Sequence, residues 1–74
     1  MIQIEYCGMW NYFPRAVGLA DKIKKQLKVE VELIRGSGGV FEIFVKGIKI
    51  YSKKETGEFP VEEEALTLIK KALE

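Results

Sequence analysis

Cys7 is the residue in this chain whose type and setting could do covalent chemistry, and it is the only cysteine among the 74 residues. It follows the alternating run Ile2-Gln3-Ile4-Glu5-Tyr6 and precedes a helical pattern, with Gly8, Met9 and Trp10 in the turn between. A cysteine at a strand-to-helix turn meets unpaired backbone N–H groups and the positive end of a helix dipole. Both favour a thiolate, the nucleophile of disulfide exchange. A second sulfur or selenium three residues later would let the pair close a ring and cycle between two states. That place is held by Trp10, so Cys7 alone can form a mixed disulfide or be oxidised to a sulfenic acid. A packed, inert thiol is the ordinary alternative, since free cysteine is among the most buried residue types. Trp10 has an equally ordinary reading as a core or surface anchor.

The surrounding elements follow from periodicity. Ile2 to Tyr6 reads as a first strand. From Phe13 to Leu27 the period becomes helical, with Phe13, Ala16, Val17, Ala20, Ile23 and Leu27 on one face. Asn11 is the expected cap and Pro14 suits the first turn, where a missing N–H costs nothing. Val29, Val31 and Leu33 alternate with Lys28, Glu30 and Glu32 as a second strand. The strand-helix-strand unit predicts parallel strands and a right-handed crossover. Arg35 to Gly39 reads as a flexible loop, followed by strands at Val40–Val45 and Ile48–Tyr51 joined by a tight turn at Lys46-Gly47. Ser52 to Phe59 reads as a polar loop. Pro60 opens a final helix with Val61, Ala65, Leu68, Ile69 and Ala72 on its buried stripe.

The resulting order is β-α-β-β-β-α in a single domain, residues 1–74: an α/β (α+β sandwich) architecture with a four-stranded mixed sheet. Val29, Val31, Leu33, Phe41, Ile43, Val45, Ile48 and Ile50 can share one sheet face. Glu30, Glu32, Glu42 and Lys49, with Ile34, Phe44 and Tyr51 among them, take the other. That pattern predicts both helices on one face and solvent on the other.

Composition narrows the chemistry. The absence of histidine excludes Ser-His-Asp and Cys-His pairs and the usual zinc sites together. Twelve basic and eleven acidic residues leave a net charge of +1, which points to neither nucleic acid nor an anionic membrane as partner. No apolar run approaches a membrane span, and no basic-then-apolar leader opens the sequence. With a lone cysteine, these features favour a reducing, cytoplasmic setting.

Three segments in order carry a resemblance. Tyr6-Cys7-Gly8-Met9-Trp10-Asn11-Tyr12 is followed by a basic helix, then by Gly39-Val40-Phe41-Glu42-Ile43, then by Lys49-Ile50-Tyr51-Ser52-Lys53-Lys54. Together they resemble the selenoprotein W-related (Rdx) family over essentially the full length. The resemblance implies a thioredoxin-like fold and a thiol or selenol redox role, with Cys7 as one redox residue. Trp10 then stands where that family carries cysteine or selenocysteine. Selenocysteine is encoded by UGA and tryptophan by UGG, so one reading is that Trp10 stands in for a native selenocysteine. The other is that the second redox residue has been lost and any oxidoreductase activity impaired.

Other features carry less. The glycine-rich loop lacks the spacing and lysine of a phosphate-binding loop. In the implied fold it would face the redox turn, with Gly38 and Gly39 where thioredoxins place a cis-proline. Lys22, Lys24, Lys25 and Lys28 could attract an acidic partner or the carboxylates of glutathione, the expected redox partner besides a protein thiol or disulfide. A solvated helix face is the plainer reading. No bound cofactor or metal is expected. Three functions stand at this point: a thiol or selenol oxidoreductase, a single-thiol module linked to glutathione or a protein, and a non-catalytic interaction domain.

Overall fold

Alternation in the first strand sends Ile2 and Ile4 to one face and Gln3 and Glu5 to the other, and the sheet is built around that choice. In the computed structural model, which describes residues 1–74, the elements are β1 (Ile2–Cys7), α1 (Phe13–Leu27), β2 (Val31–Gly36), β3 (Phe41–Val45), β4 (Ile48–Ser52), α2 (Lys53–Thr56) and α3 (Glu62–Leu73). The sheet order is β2-β1-β3-β4, with β1 parallel to β2 and antiparallel to β3. α1 lies over β1 and β2, and α3 over β3 and β4. The mixed sheet and the two long helices on one face agree with the sequence reading.

The core lies between sheet and helices. Ile2 and Ile4 meet Phe41, Ile43 and Val45 across β1 and β3, and all five are at most 2% exposed. The helices close over them with Ala16, Leu19 and Ile23 from α1 and Ala65, Leu66 and Ile69 from α3. Both helical stripes are rotated from the expected ones. Leu19 is buried while Phe13 and Val17 are exposed; Leu66 is buried while Val61 and Leu68 are exposed. Each helix carries apolar residues on the flanks of its stripe, and packing against the sheet, not periodicity, decides which flank is covered.

Several boundaries also shift. The second strand runs from Val31 to Gly36 instead of Val29 to Leu33, because α1 ends at Lys28 in the left-handed conformation (φ 57°) and Val29-Glu30 form the connection. Arg35 and Gly36 therefore belong to a strand and not to the loop. Tyr12, not Asn11, occupies the N-cap of α1, with no side-chain cap. α3 starts at Glu62, not at Pro60. Within the expected polar loop lies the short helix α2, whose N-cap Ser52 accepts from the Glu55 N–H at 3.4 Å. A register shift between Ile43 and Phe44 lets Tyr51 face Ile43, so Tyr51 joins the core side and not the open face. The same shift puts Ser52 opposite Glu42, where its hydroxyl donates to the carboxylate at 2.9 Å. Ile48, expected on the covered face, is 67% exposed at the hairpin end of β4. Lys46 and Gly47 both have positive φ (54° and 80°), as the two-residue hairpin turn requires.

Candidate functional site

The turn after β1 is held from both sides. Cys7 pairs with Gly36 in the parallel ladder, and the Gly8 N–H donates to the Gly36 carbonyl at 3.0 Å. From the other neighbour, the Val40 carbonyl accepts from the Cys7 N–H at 2.8 Å. The expectation that the glycine-rich loop would face the turn is met: its two ends are bonded to Cys7 and Gly8. Cys7 itself is fully buried, at 0% exposure.

Two close approaches define the cover. A Cβ at Gly8 would run into Arg35 Nε and lie 2.7 Å from its Cγ, so the Arg35 side chain crosses the turn close over the glycine. A Cβ at Gly39 would lie 2.6 Å from Trp10 Cζ3, so the indole rests directly on the loop backbone. Trp10 is 58% exposed, one edge in solvent and the other on Gly39, which is buried. The indole also meets Tyr12 edge-on at 5.8 Å, and Tyr12 meets Phe59 at 4.7 Å. Phe59 in turn contacts the core residue Phe41 at 5.3 Å. A chain of rings thus links the exposed tryptophan to the hydrophobic core.

Burial pushes the Cys7 thiol up, yet the net direction is down. The nearby backbone of Gly39, Trp10 and Met9 favours the thiolate, and the Arg35 guanidinium adds a favourable charge. The expected contribution from the helix terminus is replaced by these groups. α1 begins only at Phe13, and the backbone groups come from the turn and the loop. The site therefore combines two opposed properties: surroundings that favour a thiolate, and a cover that denies it to solvent. None of the four surface cavities is lined by Cys7 or Trp10. No group of three or more acidic, cysteine or histidine side chains is placed to hold a metal ion.

Of the residues singled out from sequence, Cys7 and Trp10 are brought together. The lysines of α1 are not part of the turn's surroundings. Lys22 is bound to Glu62 at 3.3 Å and Glu63 at 3.1 Å, tying α1 to α3, and its ammonium is held above the ordinary lysine value mainly by the Glu63 hydrogen bond. Lys25 pairs with Asp21 at 3.1 Å. Sequence reasoning missed Arg35, Lys53 and Arg15. Lys53 Nζ stands 5.7 Å from the Tyr12 ring centre and 5.2 Å from that of Phe59. Arg15 lies over Phe59 at 4.2 Å. The available signal for Arg35 was the apolar pair Leu33-Ile34 before it, which carries the strand beyond its alternating part.

A strand-turn-helix cysteine on a four-stranded mixed sheet, with two long helices over one face, defines a thioredoxin-like protein with a single thiol at the end of its first strand. Residues 1–71 match the Rdx family, and the chain belongs to it. It is 35% identical over 72 residues to migration and invasion enhancer 1 of Bos taurus and 33% identical to that of Mus musculus. In both cases 96% of this chain is covered, but it spans only 63% of the relative's length. Among solved structures, the selenoprotein W-related protein of Vibrio cholerae superposes with a TM-score of 0.93 at 28% identity, covering 99% of this chain and 95% of that one. A Bordetella parapertussis protein does so with 0.89 at 27%, covering 96% and 94%. Membership of the Rdx family supports a redox-type function of the thioredoxin-like kind.

Proposed function

We propose that this chain is a small thiol redox protein of the cytoplasm, in which Cys7 reacts as a thiolate and Trp10 stands at the place of a second redox atom. The observation that carries the reading is the setting of Cys7 at the end of β1, where the Arg35 side chain crosses the turn and the backbone of Gly39, Trp10 and Met9 lowers the thiol against the burial that would raise it. In the step proposed, the Cys7 thiolate attacks one sulfur of a disulfide, either oxidised glutathione or a protein disulfide. The S–S bond breaks, the leaving sulfur departs as a thiolate, and Cys7 is left in a mixed disulfide. Glutathione or a partner thiol then resolves it, because no second thiol is present in the chain. Selenocysteine at position 10 would make resolution internal, and codon 10 in the source genome decides that point: UGA supports it and UGG ends it.

A second reading has its own observation. With Cys7 at 0% exposure, the thiol can be a packed core residue of an interaction domain. Trp10→Cys separates the two. On the redox reading the variant forms an intramolecular disulfide between Cys7 and the introduced thiol. Its reduction potential is then measurable, and its formation is seen as loss of both free thiols under mild oxidant. A well-folded variant that keeps both thiols free under those conditions refutes it.

A further inference from the structure

All five ion pairs of the molecule use Lys22, Lys25 or Lys49 as the cation. The cations around the Cys7 turn are in none of them. Arg35 crosses Gly8, Lys54 Nζ sits 3.5 Å from where a Gly38 Cβ would be, and Lys53 and Arg15 stand over the aromatic rings behind Trp10. Carboxylates also come near this end. Glu62, beside Arg15 at a small cavity, is engaged by Lys22; Glu42, opposite Ser52, and Glu55, next to Lys54, are engaged by Lys49; Glu5 lies against Gly36. The near-neutral net charge of +1 thus conceals a rim of four cations that make no ion pair within the chain.

Inside that rim the surface is apolar. Met9 is 78% exposed, Trp10 58% and Phe13 51%. Exposed methionine and aromatics bordered by arginine have the composition of interface centres, where large apolar side chains supply affinity and charge selects the partner. Nothing in the chain covers these residues, and the basic rim discriminates against a basic occupant.

We infer that the Met9-Trp10-Phe13 surface docks an acidic segment of a partner protein, whose carboxylates meet Arg35, Lys53, Lys54 and Arg15 while an apolar side chain lies against Trp10. The inference rests on the redox reading for its biological sense, since it names the kind of protein that would present a disulfide to Cys7. The docking itself does not use the thiol.

Trp10 is the only tryptophan, so its emission reports binding directly. The probes are cysteine-free peptides of equal length with one central phenylalanine, one rich in aspartate and glutamate and one rich in lysine, titrated in parallel by fluorescence and calorimetry. The acidic peptide is expected to bind saturably and about tenfold or more tighter than the basic one at low salt, with the difference lost near ~1 M salt, as exposed charge contacts are screened. The exposed double variant Arg35→Gln/Lys54→Gln should weaken acidic binding about threefold or more. Lys70→Gln/Lys71→Gln on α3, of equal charge change, should leave it unaltered. Equal affinity for both peptides, or no saturable binding of the acidic one, overturns the inference. So does a single-stranded oligonucleotide of matched charge that binds as tightly. Acidic-peptide binding by a chain whose Cys7 forms no mixed disulfide would defeat the redox reading alone, and the converse would defeat the docking surface alone.

Discussion

Gly39→Ala tests whether the tryptophan cover controls the thiol. Gly39 has φ +77°, a region that costs an L-residue about 1–2 kcal/mol. The added Cβ would also lie 2.6 Å from Trp10 Cζ3, 3.1 Å from Cη2 and 3.2 Å from Cε3. Ordinary carbon contacts begin near ~3.5 Å, so the indole must retreat by about 1 Å. Gly38 supplies the control. Its φ is +72°, so alanine there carries the same backbone cost, yet the nearest atom to its Cβ is the flexible Lys54 Nζ at 3.5 Å. Gly38→Ala should lose about 1–2 kcal/mol by chemical denaturation, and Gly39→Ala at least as much. In a chain of this size that is a fall in Tm of about 5–15 °C.

Only Gly39→Ala should move the indole. It is therefore expected to shift the emission of the single tryptophan and to speed alkylation of Cys7 by iodoacetamide under native conditions. Gly38→Ala should match the parent chain in both measurements. If the two variants are indistinguishable in emission and alkylation rate, Trp10 does not guard the thiol.

Charge and packing can be tested in the same way. Gly8→Ala should displace the Arg35 side chain and, like Arg35→Met, move the midpoint of the Cys7 alkylation–pH profile upward; an unchanged midpoint in both would remove Arg35 from the site. Because folding holds this thiol below its unfolded value, its contribution to stability is full above the unfolded value and is lost as pH falls through the folded one. Cys7→Ser should flatten that rise in a pH series of denaturation curves. Lys22→Gln should weaken the α1–α3 tie by a small amount that vanishes in high salt, since the pairs with Glu62 and Glu63 are exposed. Ile43→Ala, at a fully buried position in the middle of β3, should cost about 2–5 kcal/mol in the same assay.

Much of this molecule was legible in its sequence, and the failures have a common cause. Alternation located all four strands, and glycine at position 47 located the hairpin. Which flank of each helix is buried was not legible, because Phe13 and Val17 are as apolar as Leu19, and only the sheet beneath chooses between them. Tyr51 was misplaced because a bulge inserts one residue, and period-two reasoning has no means of seeing it. Around the turn, the position of Cys7 and Trp10 between the first strand and the first helix was legible from the change of period. Arg35 was not, since glycines at 36, 38 and 39 make the segment read as loop when its first two residues are paired to Tyr6 and Cys7.

The sheet order explains why those distant residues meet. β1 is central, and Cys7 is its last residue. β2 runs parallel to it, so the end of β2, Arg35 and Gly36, arrives at the same edge of the sheet. β3 runs antiparallel, so its beginning, reached through Gly38 and Gly39, arrives there too. β4 reverses again, so its end and the following Lys53 and Lys54 complete the edge. Each group acting on the thiol, and each cation of the rim apart from Arg15, thus comes from a chain segment that this topology must deliver to the end of β1. The cysteine at the start of the crossover therefore draws on more than the turn that follows it. Beside Met9 and Trp10 of the turn itself, the groups that favour its thiolate stand at positions 35 and 39, tens of residues away, and are brought to it when the strands pair.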